Sequence, residues 1–367
     1  MMWSLCIKYF FVLVCIWLAS IQSSYAYLYG LKSSDNTVAN IQKITRYYPQ
    51  ADPQIISVIY DGRSVAAKQE IIKFAQEYGT SKILHLTLSP DKLSMDQIAG
   101  GFFDDQYRDF FALIKKLDIK VIFRTMHEMN GGRYSRSGNP LLFTQTWKHI
   151  RRMSRRAWLD QKNILFDFSV VHHDLPSVQS TPHHTNDFVA CTPAQKLKSK
   201  CITMEDYYPW SVYVDLVGVT FYNRGKGRHH RKRLTPTQII EDPVWSTWTR
   251  LQKFYKPLIV DETATTAVNY SGWYDPALSL AIYESDYKTK NIRLQQLASW
   301  AKSKKNLVWL IYFNVDYTAG YKYPTIGESD WSVIDFQTSK VYTSIYDIAQ
   351  WWEQIWQSKL FKMFTRP

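Results

Sequence analysis

Ile119-Lys120-Val121-Ile122-Phe123-Arg124-Thr125-Met126-His127-Glu128-Met129-Asn130-Gly131 is the stretch whose reading decides the fold. Its first half is β-branched and aromatic, as in a strand buried on both faces of a parallel sheet. Its second half delivers an acid just where that strand ends. Parallel barrels keep their reactive groups at that end. A zinc-protease helix is excluded, because its motif needs a second histidine four residues after His127 and that position is Gly131.

Working outward, similar apolar runs recur and alternate with longer amphipathic segments, which argues for parallel β/α units. The strands are predicted at Tyr25–Tyr29, Ile55–Tyr60, Ile83–Leu88, Val121–Met126, Ile164–Val170, Leu216–Phe221, Pro257–Val260 and Leu307–Phe313. Helical spacing marks Ser64–Tyr78, Asp104–Leu117, Leu141–Ala157, Pro236–Tyr255, Asn291–Ser303 and Thr343–Lys359. The expected architecture is an α/β protein, a single (β/α)8 TIM barrel over residues 27–367, preceded by a signal peptide at 1–26. The chain's 367 residues suffice for one such barrel.

The leader reading rests on Lys8, the apolar run Tyr9–Ile21 and the small residues Ser24 and Ala26. It predicts a secreted or periplasmic protein; the alternative is a membrane tether formed by an uncleaved signal anchor. Of four cysteines, Cys6 and Cys15 fall in the leader. Cys191 and Cys201 remain and are expected to form a disulfide that pins an insertion between strands 5 and 6, within His172–Asp215. The histidine pairs in this segment have no partner spacing for an ion, so no metal is expected.

A net charge of +13 arises from 45 basic and 32 acidic residues, and part of the excess lies in Arg224–Arg233. An exported chain without a nucleic-acid motif is not expected to bind nucleic acid. Clustered positive charge raises the local concentration of polyanions such as acidic polysaccharides. A solvated loop is the plainer reading of the same run.

His127-Glu128-Met129-Asn130-Gly131, with Arg124 three residues before the histidine, and Lys256-Pro257-Leu258-Ile259-Val260-Asp261-Glu262-Thr263 together resemble glycoside hydrolase family 26. That family includes β-mannanases and some β-glucanases. The resemblance implies a retaining glycosidase that needs no cofactor and works by double displacement, with Glu128 as acid/base and Glu262 as nucleophile. Glu128 would then be the carboxyl held protonated, with a raised pKa. Arg124 would keep the nucleophile ionised, and Tyr222, in Asp215–Asn223, would hydrogen-bond it. His127, Asn130, Arg133 and Tyr134 would bind or support substrate, and Trp331 would offer an aromatic platform for a sugar ring. Asp261 is the rival nucleophile. Neighbours on a strand face opposite sides, so only one of Asp261 and Glu262 should enter the site, and Asp261 is expected behind the strand.

The chain departs from the family at Arg133, where a tryptophan is usual, and at Phe168-Ser169-Val170-Val171, where Trp-Ser-Pro-Asn is usual. Both positions are expected in sugar subsites. Arg133, Arg136 and the 224–233 run would lie near the mouth, which suggests a substrate bearing carboxylates. The polysaccharide is the partner this reading implies, with no stable protein partner. The competing class is a non-catalytic carbohydrate-binding barrel of the cell envelope.

Overall fold

Residue patterning of this kind produces eight short strands that close on themselves. In a computed structural model, residues 28–33, 37–61, 65–90, 94–131, 134, 136–172, 202–223, 234–243, 246–266, 268–275, 280–285, 287–315, 334–335 and 340–341 are described. The strands are β1 (Leu28–Lys32), β2 (Ile55–Asp61), β3 (Ile83–Ser89), β4 (Lys120–Thr125), β5 (Ile164–Val171), β6 (Leu216–Asn223), β7 (Leu258–Thr265) and, after a hairpin, β10 (Leu307–Phe313). They form a closed barrel in the order β1-β10-β7-β6-β5-β4-β3-β2, and every pairing in it is parallel. The expected (β/α)8 barrel is what the chain adopts.

Both faces of these strands are covered, which is why they read as continuous apolar runs: all seven residues of β3 are buried. The helices lay one apolar stripe against the barrel. Helix α1 (Val38–Tyr47) starts at Thr37, whose side chain accepts from the backbone N–H of Asn40. Helices α2 (Val65–Tyr78), α3 (Met95–Ala99) and α4 (Asp104–Leu117) follow; α4 buries Tyr107, Phe110, Phe111 and Ile114 at helical spacing. Helix α5 (Pro140–Arg156) is started by the Asn139 cap and Pro140.

The long helix expected over 236–255 is two short ones, α6 (Pro236–Ile240) and α7 (Thr247–Gln252). Pro243 lies between them and cannot continue a helix, having no N–H to donate. Strand β1 ends three residues later than expected. Elements not anticipated include helices α1 and α3 and an antiparallel hairpin of β8 (Val268–Asp275) and β9 (Leu280–Ser285) before α8 (Tyr287–Ser303). Among the described residues no helix is long and apolar enough to cross a membrane. The leader, both cysteines of the expected disulfide, the 343–359 helix, Arg133, the 224–233 run and Trp331 all lie outside the described residues.

The feature that shapes the site is in β7. Val219 pairs with Val260, but the next residue of β6, Thr220, pairs with Glu262. Asp261 is thus an extra residue, a β-bulge, and the bulge turns two consecutive side chains toward the barrel interior.

Candidate active site

The site is assembled around Arg124, the fifth residue of β4, which is fully buried. Each of its three nitrogens has a partner. Nε donates to Ser169 Oγ on β5 at 2.9 Å, Nη2 to Thr220 Oγ1 on β6 at 2.8 Å, and Nη1 to Glu262 Oε1 on β7. One rigid guanidinium therefore ties four adjacent strands together and fixes the orientation of one carboxylate. Burial alone would favour the neutral form of Arg124, but Glu262 and Asp261 outweigh it and hold the guanidinium charged. The other Glu262 oxygen accepts from Tyr222 Oη at 2.5 Å. An arginine and a phenol thus grip both oxygens of this carboxylate and fix its orientation.

Glu128 approaches from the turn after β4. It and Met126 both have left-handed backbones, at φ 54° and 49°, on either side of His127. Non-glycine residues in that region are strained by about 1–3 kcal/mol each, and such strain collects at functional sites. The Glu128 N–H donates to the Ser169 carbonyl at 2.8 Å, and its own carbonyl accepts from the Gly131 N–H at 3.0 Å. Burial and the adjacent Glu262 charge raise the Glu128 pKa, against the opposing pull of Arg124, a hydrogen bond with Thr220 and Arg136. The two carboxyl groups are thus near enough for their charges to repel. The raised pKa expected for Glu128 is present.

Other residues singled out in the sequence play supporting parts. Asn130 bonds the Val171 backbone twice, Nδ2 to the carbonyl and Oδ1 from the N–H, each at 2.9 Å. It clips the turn to the end of β5. His127 is buried beside Tyr134, with ring centroids 5.2 Å apart. Arg136 lies 3.5 Å over the Tyr134 ring and donates from Nε to the His127 carbonyl at 2.6 Å. Its Nη2 stands 3.4 Å from His127 Nδ1. Because arginine only donates, Nδ1 must accept, which leaves the His127 proton on Nε2.

Three expectations need correction. Arg136 does not wait at the mouth for an anionic sugar: it is buried and holds the Glu128 turn from below. Phe168 is not in a sugar subsite. It alternates with the inward-facing Ser169 and packs outward against Phe143, Trp147, Tyr208 and Phe254. Asp261 is not behind the strand, because the bulge suspends the alternation on which that expectation relied. Its Oδ2 is 3.8 Å from Arg124 Nε, inside the barrel.

A group that the sequence reading missed lies with Asp261. His85 on β3 and Asp167 on β5 join it, all three fully buried, with one ligand-type atom of each within 4.8 Å of the others. These residue types could hold a cation. The signal was available: His85 and Asp167 are polar interruptions of Ile-Leu-His-Leu and Leu-Phe-Asp-Phe. Gly218 makes room for them, since a Cβ there would lie 1.9 Å from Asp261 Oδ2 and 2.7 Å from Asp167 Oδ1.

The class defined so far is a (β/α)8 barrel with two neighbouring carboxyl groups at the C-terminal mouth, one gripped by Arg124 and Tyr222 and one raised in pKa. Among solved structures it aligns over 89% of its length with all of a fungal β-1,4-galactanase, at 10% identity and a TM-score of 0.56. It is also similar to a modular endo-β-1,4-mannanase from Cellulomonas fimi, at 12% identity and TM-score 0.49 over 82% of this chain and 68% of that one. A β-mannanase from a symbiotic protist of the termite Reticulitermes speratus gives 12% and 0.45 over 83% and 84%. The galactanase likeness shows a shared barrel fold, the one that the family 26 resemblance implies. No protein-family profile and no curated protein matches the chain.

Proposed function

We propose that the protein is a retaining glycoside hydrolase of the β-mannanase-like family 26 type, cleaving β-glycosidic bonds in a polysaccharide. The observation that carries this reading is the unequal treatment of two neighbouring carboxyls. Arg124 and Tyr222 grip both oxygens of Glu262, while burial and the adjacent Glu262 raise the pKa of Glu128.

In the first step Glu128 protonates the departing glycosidic oxygen and Glu262 attacks the anomeric carbon, forming a glycosyl ester as the C–O bond breaks. Glu128, now a carboxylate, removes a proton from water, which attacks the same carbon and releases Glu262. Once Glu262 is esterified its charge is gone, so the Glu128 pKa falls and base catalysis becomes favourable. Two carboxyls complete this cycle, so no cofactor is required.

The substrate proposed is a β-linked polysaccharide carrying uronic acids, on the basis of Arg133 and the basic run at 224–233. Arg136, committed to the His127 carbonyl, no longer supports that choice. Export through the N-terminal leader would bring the enzyme to such a polymer. The fungal enzyme named above is a β-1,4-galactanase, so β-1,4-galactan belongs in the same assay. New reducing ends should appear with wild type on at least one β-glycan and vanish with Glu128→Ala. Binding of a glycan by wild type with no cleavage of any would instead mark a carbohydrate-binding barrel.

A further inference from the structure

Beneath Arg124 the barrel interior holds ionisable groups that this chemistry leaves unused. Asp167 and Asp261 are completely buried, and among the described residues none of their four carboxylate oxygens has a hydrogen-bond donor. His85 Nε2 is 3.6 Å from Asp261 Oδ1, too far for a hydrogen bond, and also lacks a partner. The other ring nitrogen, Nδ1, is engaged by Ser57 Oγ at 2.8 Å. The absence of a side chain at Gly218 lets the two carboxylates press on one Cα, where they face each other. Two ionised carboxylates in such a place cannot both keep their charge. A proton or a cation must lie between them. Arg124 already brings a full positive charge to within 3.8 Å of Asp261, and a divalent cation would have to sit against it. A proton adds no such repulsion.

We propose that Asp167 and Asp261 share one proton, carried on Asp167, and that the Asp261 carboxylate anchored in this way is a positioning group that holds Arg124 in place to grip Glu262. The positioning role rests on the hydrolase reading; the shared proton does not. Burial and the neighbouring Asp261 push Asp167 well above the ordinary carboxylate range. Burial pushes Asp261 upward too, but His85 and Arg124 outweigh it and keep Asp261 below its usual value. Burial also lowers the His85 pKa, so the ring is neutral despite its acidic neighbours. The charged or titratable groups facing the pair are His85 from β3, Arg124 from β4, and Glu262 acting through Arg124.

The sign of the pH effect follows from the raised Asp167. The folded chain keeps a proton that the unfolded chain releases at about pH 4. Stability from this site is therefore complete below about pH 4 and is lost as pH rises through the folded-state value. Unfolding of the full chain, followed by heat from pH 4 to 8, reads this in wild type, Asp167→Asn and Asp261→Asn. An amide at 167 donates permanently to Asp261, so D167N should match or exceed the wild-type Tm at pH 7 and lose the decline that wild type shows above pH 4. D261N should be less stable throughout. On a cleavable glycan D261N should lower kcat by about tenfold or more, as misplaced groups do, with KM nearly unchanged. If D261N does not fold, D167N decides alone. D167N that is destabilised at pH 7 and keeps the wild-type pH dependence would overturn the proposal. So would one equivalent of metal in purified wild type, measured by elemental mass spectrometry and absent from D167N. The stability readings stand whether or not any glycan is cleaved, so failure here and failure of the hydrolase reading are separable.

Discussion

Asp261 and Glu262 are neighbours on one strand, contact the same arginine, and live in opposite surroundings. Glu262 points to the mouth, where Tyr222 and Arg124 grip both its oxygens. Asp261 points into the buried interior, where its oxygens lie near Asp167 and, among the described residues, find no hydrogen-bond donor. One extra residue in β7 produces the difference. The mouth sets one carboxylate gripped by two donors beside a second whose pKa is raised. The layer beneath uses the same residue types to hold the arginine that makes this possible. Chemistry and support are stacked one above the other.

The sharpest way to break the comparison is to remove each mouth carboxyl in turn. Glu128→Ala should cut kcat/KM by about 10²–10⁴, the range for loss of a positioned acid or base, and Glu262→Ala, which loses the nucleophile, by at least as much. Both variants should stay folded, as shown by an intact thermal transition. An active Glu262→Ala would move the nucleophile elsewhere. Damage to the lower layer should appear in stability instead. Gly218→Ala puts a Cβ 1.9 Å from Asp261 Oδ2, and overpacking of this kind costs about 1–3 kcal/mol. A lowered midpoint in denaturant unfolding would show it, and an unaffected midpoint would mean that the two carboxylates are free to move apart.

Smaller effects refine the picture at the mouth. Tyr222→Phe removes one of the two grips on Glu262. A hydrogen bond to a charged group is worth about 1.5–3 kcal/mol, so kcat should fall roughly tenfold or more with little change in KM. The raised Glu128 sets the alkaline side of the pH profile. Glu128 must be protonated in the first step, so kcat/KM should decline as pH rises through its elevated pKa, above the ordinary value of about 4.3. A profile flat from pH 4 to 9 would exclude Glu128 as the acid.

Much of the fold could be read from the sequence because parallel barrel strands are apolar on both faces. Seven of the predicted runs fall on barrel strands nearly in place, and β1 ends three residues later than expected. Strand pairing needs no special chemistry, and period and apolarity declare it. The apolar pattern over 236–255 does not make one helix because Pro243 interrupts it. At the site, Glu128, Glu262, Arg124 and Tyr222 could be located because their motifs are contiguous. The interior trio of His85, Asp167 and Asp261 comes from three strands far apart in sequence, and no local string announces it. Asp261 was misplaced for a definite reason: alternation along a strand holds only where the register is unbroken, and a bulge leaves no mark in a sequence such as Ile-Val-Asp-Glu-Thr.

The central claim is that Glu262, and not its neighbour, forms the bond to sugar. Fluorosugars with an activated leaving group form glycosyl esters slowly released by water, so a panel of gluco- and manno-configured 2-deoxy-2-fluoro glycosides can trap the nucleophile. Peptide mass mapping of the inactivated protein should then place one sugar on Glu262. A sugar found on Asp261 instead would contradict the account at its root.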